Sequence, residues 1–172
     1  IAETPMISWK EADVDLSNPT GVDKAIRELL HHRNYHILQV CQTYLYPQLD
    51  SFSKMVSEKE IQQLKTHLLG ESHLKSLSND FPSIKEIEIL QLVAVLKHNG
   101  LLSGLYRNIS MLNHSCDPNS QYDGKGLKIW ITAIKNIKRG EEFTCDYGFG
   151  YDDDYKQFPC KCGSKNCCGY IV

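Results

Sequence analysis

Asn113-His114-Ser115-Cys116-Asp117-Pro118-Asn119 is the stretch on which the reading of this chain turns. Its polar side chains can bond backbone or ligand, and residues of this kind readily build a plain Asx and proline turn. Cys116 sets it apart. Near the C-terminus, Cys160-Lys161-Cys162 and Cys167 form a C-x-C-x4-C tail, with Gly163 and Gly169 giving the backbone freedom to wrap. Zinc prefers four tetrahedral ligands, with thiolates at about 2.3 Å, and a structural site leaves no position open. The tail supplies three. Cys168 adjoins Cys167, and adjacent residues rarely reach one ion together, so Cys116 is the better fourth ligand. One zinc per chain is then expected, stapling the tail onto the loop and supplying folding free energy. The competing readings are reduced, inert thiols or one local disulfide.

Composition agrees with a metal site more than a disulfide scaffold. There are 7 cysteines in 172 residues, an odd count with one terminal cluster. Cys41 and Cys145 read as small core residues. Hydrophobic residues make up 41% and charged residues 23%, which excludes global disorder and fits one ordinary domain. Lys plus Arg number 19 against 21 Asp plus Glu, and that near-balance argues against a protein holding nucleic acid on a broad basic face. No apolar run approaches the ~20 residues of a membrane span and no signal peptide opens the chain, so the expectation is a soluble, intracellular protein.

The opening Ile1-Ala2-Glu3-Thr4-Pro5-Met6-Ile7 reads as a strand already under way, as though an N-terminal portion preceded it. From Asn18 to about Tyr46 the pattern is helical, with Asn18 as cap, Pro19 at the first helical position and Val22, Ala25, Ile26, Leu29 and Leu30 at helical spacing. Ser57 with Glu60, and Ser83 with Glu86, suit capping boxes, while Gly70 and Gly100 suit stops. Beyond Gly100 the character changes to loops and short strands. Asp123-Gly124 signals a tight turn ahead of a strand over 127–134, and Arg139-Gly140 signals another ahead of Glu142-Phe143-Thr144-Cys145. A helical block against a small β-rich part makes an α+β chain.

Asn113 to Asn119, then Gly140-Glu141-Glu142-Phe143-Thr144-Cys145-Asp146-Tyr147-Gly148-Phe149, then the C-x-C-x4-C tail, together resemble the C-terminal half of a SET-domain protein lysine methyltransferase with its post-SET zinc segment. The likeness spans 104–172, and Gly104 to Leu112 leading into Asn113 is similar to the SET-and-MYND subgroup. It implies small curved β-sheets with a pseudoknot, in which the chain around 110–114 passes under 140–147, a large helical insert and a zinc-binding tail. The implied divisions are 1–17 as the N-terminal part of the core, 18–100 as the insert, 101–150 as the C-terminal core and 151–172 as the post-SET segment. The family's Gly-x-Gly turn would precede residue 1.

The resemblance implies an enzyme that transfers a methyl group from S-adenosylmethionine to a protein lysine, with a histone tail as the usual target. Asn113 would hold that cofactor by its side chain, His114 mainly by its backbone. Tyr147 would be the active-site tyrosine. Cys145, two residues earlier, would stand where Phe or Tyr often controls how many methyl groups are added, and Tyr106 and Phe149 would line the lysine channel. Cys116, Cys160, Cys162 and Cys167 would be the zinc ligands. The implied compartment is the nucleus, with the cytoplasm as the alternative, and neither sequence-specific nucleic-acid binding nor a membrane is expected. A non-catalytic SET-like module that binds a peptide or protein is the rival reading. Asp152-Asp153-Asp154 reads as a solvated loop or as an acidic lip for a basic peptide. His31, His32 and His36 read as structural.

Overall fold

The computed structural model describes residues 2–10, 12, 14–31, 35–101, 103–125, 127–148 and 159–171, apart from the Tyr35 side chain. Phe149, Asp152-Asp153-Asp154 and His32 lie outside the described residues. The chain forms two compact units, one of Pro5–Met111 and one of Ile1–Thr4 with Leu112–Val172.

In the first unit, α1 (Pro19–Leu30) is capped by Asn18, whose side chain accepts from the Gly21 amide at 2.9 Å, with proline at the helix start. Next come α2 (Tyr35–Thr43), α3 (Leu49–Met55) and α4 (Glu58–Gln63). The α4 capping box is complete: Ser57 Oγ accepts from the Glu60 amide, and Glu60 Oε2 accepts from the Ser57 amide at 3.0 Å. The helix continues as a π-helical stretch, Leu64–Leu69, and stops at Gly70, whose φ of +83° suits glycine. Then follow α5 (Glu71–Asp80) and α6 (Glu86–Asn99).

The second expected capping box is displaced. Ser83 lies within a turn in which the Ile84 amide bonds the Phe81 carbonyl, so α6 begins only at Glu86. The reaching-back carboxylate is therefore Glu88, which accepts from the Lys85 amide at 2.9 Å. Helix α6 is the central element of the unit. Ile89, Leu90, Leu92, Val93, Ala94, Val95 and Leu96 are all buried, so it is covered on several sides instead of presenting one stripe. Gln91 among them is fully buried, and its amide donates to the Cys41 and Pro47 carbonyls at 3.1 and 2.6 Å.

The N-terminal strand is two strands. β1 (Ala2–Glu3) belongs to the second unit, and β2 (Ile7–Ser8) joins β3 (Gly100–Leu101) and β4 (Gly104–Leu105) in an antiparallel sheet ordered β2-β4-β3. Here β4 approaches so closely that a Cβ on Gly104 would lie 2.2 Å from the Ile7 carbonyl oxygen. Trp9 is buried and donates its indole N–H to the Leu101 carbonyl at 2.7 Å.

In the second unit β5 (Asn113–His114) is followed by β6 (Ser120–Lys125), β7 (Lys128–Ala133) and β8 (Thr144–Cys145). The order β1-β7-β6 makes one antiparallel sheet. Asp123-Gly124 is not the turn. Both residues sit in β6, opposite Trp130 and Ile129, and the hairpin closes at the Lys125–Lys128 pair. Trp130 is half-buried on β7. Strands β5 and β8 pair in parallel, which requires a long crossover, and the chain supplies it with the β6–β7 hairpin.

Candidate active site and metal centre

The parallel pairing puts Asn113 opposite Thr144 and His114 opposite Cys145, and the Ser115 amide donates to the Cys145 carbonyl at 3.0 Å. The two motifs separated in sequence therefore share one backbone ladder. Asn119 fastens it. Its side chain donates to the Glu142 carbonyl at 2.8 Å and to Glu141 Oε1 at 3.3 Å, and accepts from the Thr144 amide at 3.0 Å. Its own carbonyl takes the Ile134 amide at 2.9 Å. Ser120 adds a hydroxyl bond to the Thr144 carbonyl at 2.9 Å.

Tyr147 leaves the end of β8 half-buried. Its phenol donates to the Leu112 carbonyl at 2.7 Å, and its ring meets that of His114 edge-on at 5.4 Å. Burial, with the Cys145 and Glu142 groups adding, pushes the phenol above its usual range, so it stays neutral near pH 7. Cys145 is fully buried beside it and lies 3.2 Å from Ser120 Oγ, with burial raising its thiol. Burial likewise lowers the His114 pKa, against the opposing pull of Asp146.

Asn113 is exposed and donates its amide to Glu142 Oε1 at 2.5 Å. Tyr106 lies in the other unit, fully buried, with its phenol 2.8 Å from Ser103 Oγ. Phe149 is outside the described residues. Tyr122 on β6 was not singled out by sequence reasoning. Burial, then the neighbouring Cys145 and Tyr147, raise its phenol well above the usual range. Strand alternation was the available signal, since Ser120, which bonds Cys145, and Tyr122 share one face of β6.

The sulfur atoms of Cys116, Cys160, Cys162 and Cys167 all lie within 4.8 Å of one another. Cys116 Sγ is 3.7 Å from that of Cys160 and 3.9 Å from that of Cys167. A tetrahedron of thiolates at about 2.3 Å from zinc has edges of about 3.8 Å, so this donor set fits zinc. Cys168 is exposed and outside the cluster. Backbone amides turn toward the sulfurs, Cys162 N to Cys160 and Gly169 N to Cys167, both at 3.4 Å. Amide bonds from Cys116 and then Ser164 pull the Cys162 thiol down to about 6, whereas burial pushes Cys160 up to about 12. The set as a whole thus holds protons that a bound cation displaces.

These features, the parallel β5–β8 ladder, the tyrosine behind it and the four-cysteine cluster, define the class. The SET-domain family profile matches residues 1–148, and the chain belongs to the SET domain family. Among its relatives, histone-lysine N-methyltransferase 2D of Homo sapiens is 43% identical over 60 residues, covering 33% of this chain and 1% of that protein. The trr histone-lysine N-methyltransferase of Drosophila melanogaster is 41% identical over 71 residues, covering 39% and 3% respectively. The Saccharomyces cerevisiae histone-lysine N-methyltransferase, H3 lysine-4 specific, is 40% identical over 65 residues, covering 35% and 6%. The chain thus spans only a few per cent of the length of these relatives.

Proposed function

We propose that this chain is a protein lysine N-methyltransferase that uses S-adenosylmethionine, acts on a basic protein tail such as that of a histone, and works in the nucleus. The observation that carries this reading is the neutral, half-buried Tyr147 held on the ladder that joins Asn113-His114 to Thr144-Cys145. In this reading 18–100 is the insert, 101–150 the C-terminal core and 151–172 the post-SET segment, whose single zinc is structural.

Asn113 and Glu142 bring an amide oxygen and a carboxylate together at an exposed edge, acceptors suited to an ammonium group. When bound, the cofactor supplies the electrophilic methyl group. The protein positions the amine and excludes water around it. A lysine amine, with an ordinary pKa of about 10.4, must arrive neutral, and the buried surroundings of Cys145, Tyr122 and Tyr147 disfavour its charged form. With its proton directed at the Leu112 carbonyl, the Tyr147 oxygen faces an amine N–H as an acceptor. Tyr122 fills space beside the small Cys145 and is the group we assign to limiting the number of methyl groups.

Tyr147→Phe keeps the ring and removes the hydroxyl. Turnover on a histone peptide should fall about 10²-fold, the loss typical of misplaced reacting groups, while zinc content stays at one per chain. Unchanged turnover would remove Tyr147 from the mechanism. Calorimetry showing no S-adenosylmethionine binding to an N-terminally extended chain would favour the peptide-binding module.

A further inference from the structure

The Pro5–Met111 unit holds a cavity of about 290 Å³, walled by α3, by α4 with its π-helical continuation, by α6 and by the loop at Tyr46-Pro47. Its lining is apolar: Phe52 from α3, Leu64 and Leu68 from the π-helical stretch, and Ala94 from α6. Phe52, Leu64 and Ala94 are themselves buried. π-Helical segments are rare and occur often at functional sites. The loop wall is fastened to α6, where the Gln91 amide donates to the Pro47 carbonyl at 2.6 Å and the Asn99 amide donates to the Tyr46 carbonyl. The cavity is therefore preformed. Tyr46 and Met55 also line it, yet they stand 68% and 81% exposed. Large apolar groups left in water around an apolar cavity mark a ligand site.

Three charged or titratable side chains reach the same cavity, Glu60, Lys97 and His98. Glu60 is engaged elsewhere, because its Oε2 accepts from the amide and the hydroxyl of Ser57 at 3.0 and 2.7 Å. His98 packs edge-on against the Tyr46 ring at 5.5 Å. Lys97 is exposed and makes no ion pair among the described residues, which leaves its ammonium to a ligand.

We propose that this cavity binds a medium-chain monocarboxylate, with its alkyl tail against Phe52, Leu64, Leu68 and Ala94 and its carboxylate at Lys97. Size selects the tail. Taking a water's share of liquid volume, about 30 Å³, for each non-hydrogen atom, 290 Å³ holds about ten, the number in octanoate. A space of that size encloses such a molecule whole, and of a protein segment it would take one side chain. The site lies within one unit and rests on neither the zinc nor the Tyr147 reading.

Butanoate, hexanoate, octanoate, decanoate and dodecanoate, titrated into the full chain below their micelle concentrations and followed by methyl NMR, test this. Affinity should climb about fourfold per methylene, the worth of a buried CH₂, as far as octanoate and level off beyond it. The shifts should centre on Leu64, Leu68 and Ala94. Octanol should bind about fivefold more weakly than octanoate, the upper range for an exposed ion pair. Lys97→Met, an exposed change that keeps the aliphatic stem, should bring octanoate down to octanol and leave octanol unchanged. Ala94→Met, which fills the cavity, should abolish both; because it alters a buried position, its fold is checked by circular dichroism, and the Lys97→Met and octanol comparisons stand without it. Affinity that keeps rising through dodecanoate is unselective adsorption and overturns the proposal. So do octanol binding as tightly as octanoate, and no octanoate binding at all. Shifts of the same methyls on raising protein concentration without ligand would assign the cavity to a second copy of the chain, and equally overturn it.

Discussion

Replacing Asn119 with alanine tests whether the β5–β8 ladder is held from the side. Three side-chain bonds disappear, and their worth differs with exposure. Glu141 is exposed and regains water, so its bond contributes close to nothing. The Glu142 carbonyl loses a bond worth about 0.5–1.5 kcal/mol net. The Thr144 amide sits in a half-buried strand and is left without its acceptor, at about 1–3 kcal/mol. The sum is about 2–4 kcal/mol, or a fall in melting temperature of roughly 4–16 °C for a chain of this size. Urea denaturation would read the first figure as a shift in midpoint at constant slope. Hydrogen exchange should locate the loss, with the Ser115 amide, bonded across to Cys145, accelerated more than amides of α6. A loss below about 0.5 kcal/mol, the range of a neutral surface change, would show that the ladder needs no such brace.

Two further outcomes follow from other sites. Metal content should be one zinc per chain, and Cys116→Ser should lose it on dialysis, since three thiolates remain of the four that converge; retention of a full zinc removes Cys116 from the ligand set. Glu60 supplies a pH signature. The Ser57 backbone and hydroxyl bonds hold its carboxyl below the ordinary 4.5, so folding favours the charged form. Its contribution is present above 4.5 and is lost as pH falls through the depressed folded value. The stability gap between wild type and Glu60→Gln should accordingly be constant from pH 7 to 5 and close in stronger acid; a gap that widens on acidification would be incompatible with the capping box.

What was legible in the sequence is what depends on neighbours along the chain. Asn18 ahead of Pro19, Ser57 with Glu60, and Gly70 as a stop are interactions within a turn or two, and each stands where its spacing put it. The C-x-C-x4-C tail was legible because its spacing lets the thiols meet, and the four sulfurs converge accordingly. Where a tertiary turn competed, local reading lost: the Phe81–Ile84 turn took Ser83 out of the α6 cap, and pairing with β7 drew Asp123-Gly124 into β6.

The sequence by itself determined the family, the caps of α1 and α4 and the convergence of the four thiols, because each is written in short spacing or in a motif order. Only the tertiary structure decided that Asn119 braces Thr144, that Ser120 bonds Cys145, and that His114 stands between Cys116 and Tyr147. The reason is register. A parallel pairing of β5 with β8 across a whole hairpin is set by how the strands pack, and nothing in the local composition of either strand specifies which residue the other will face.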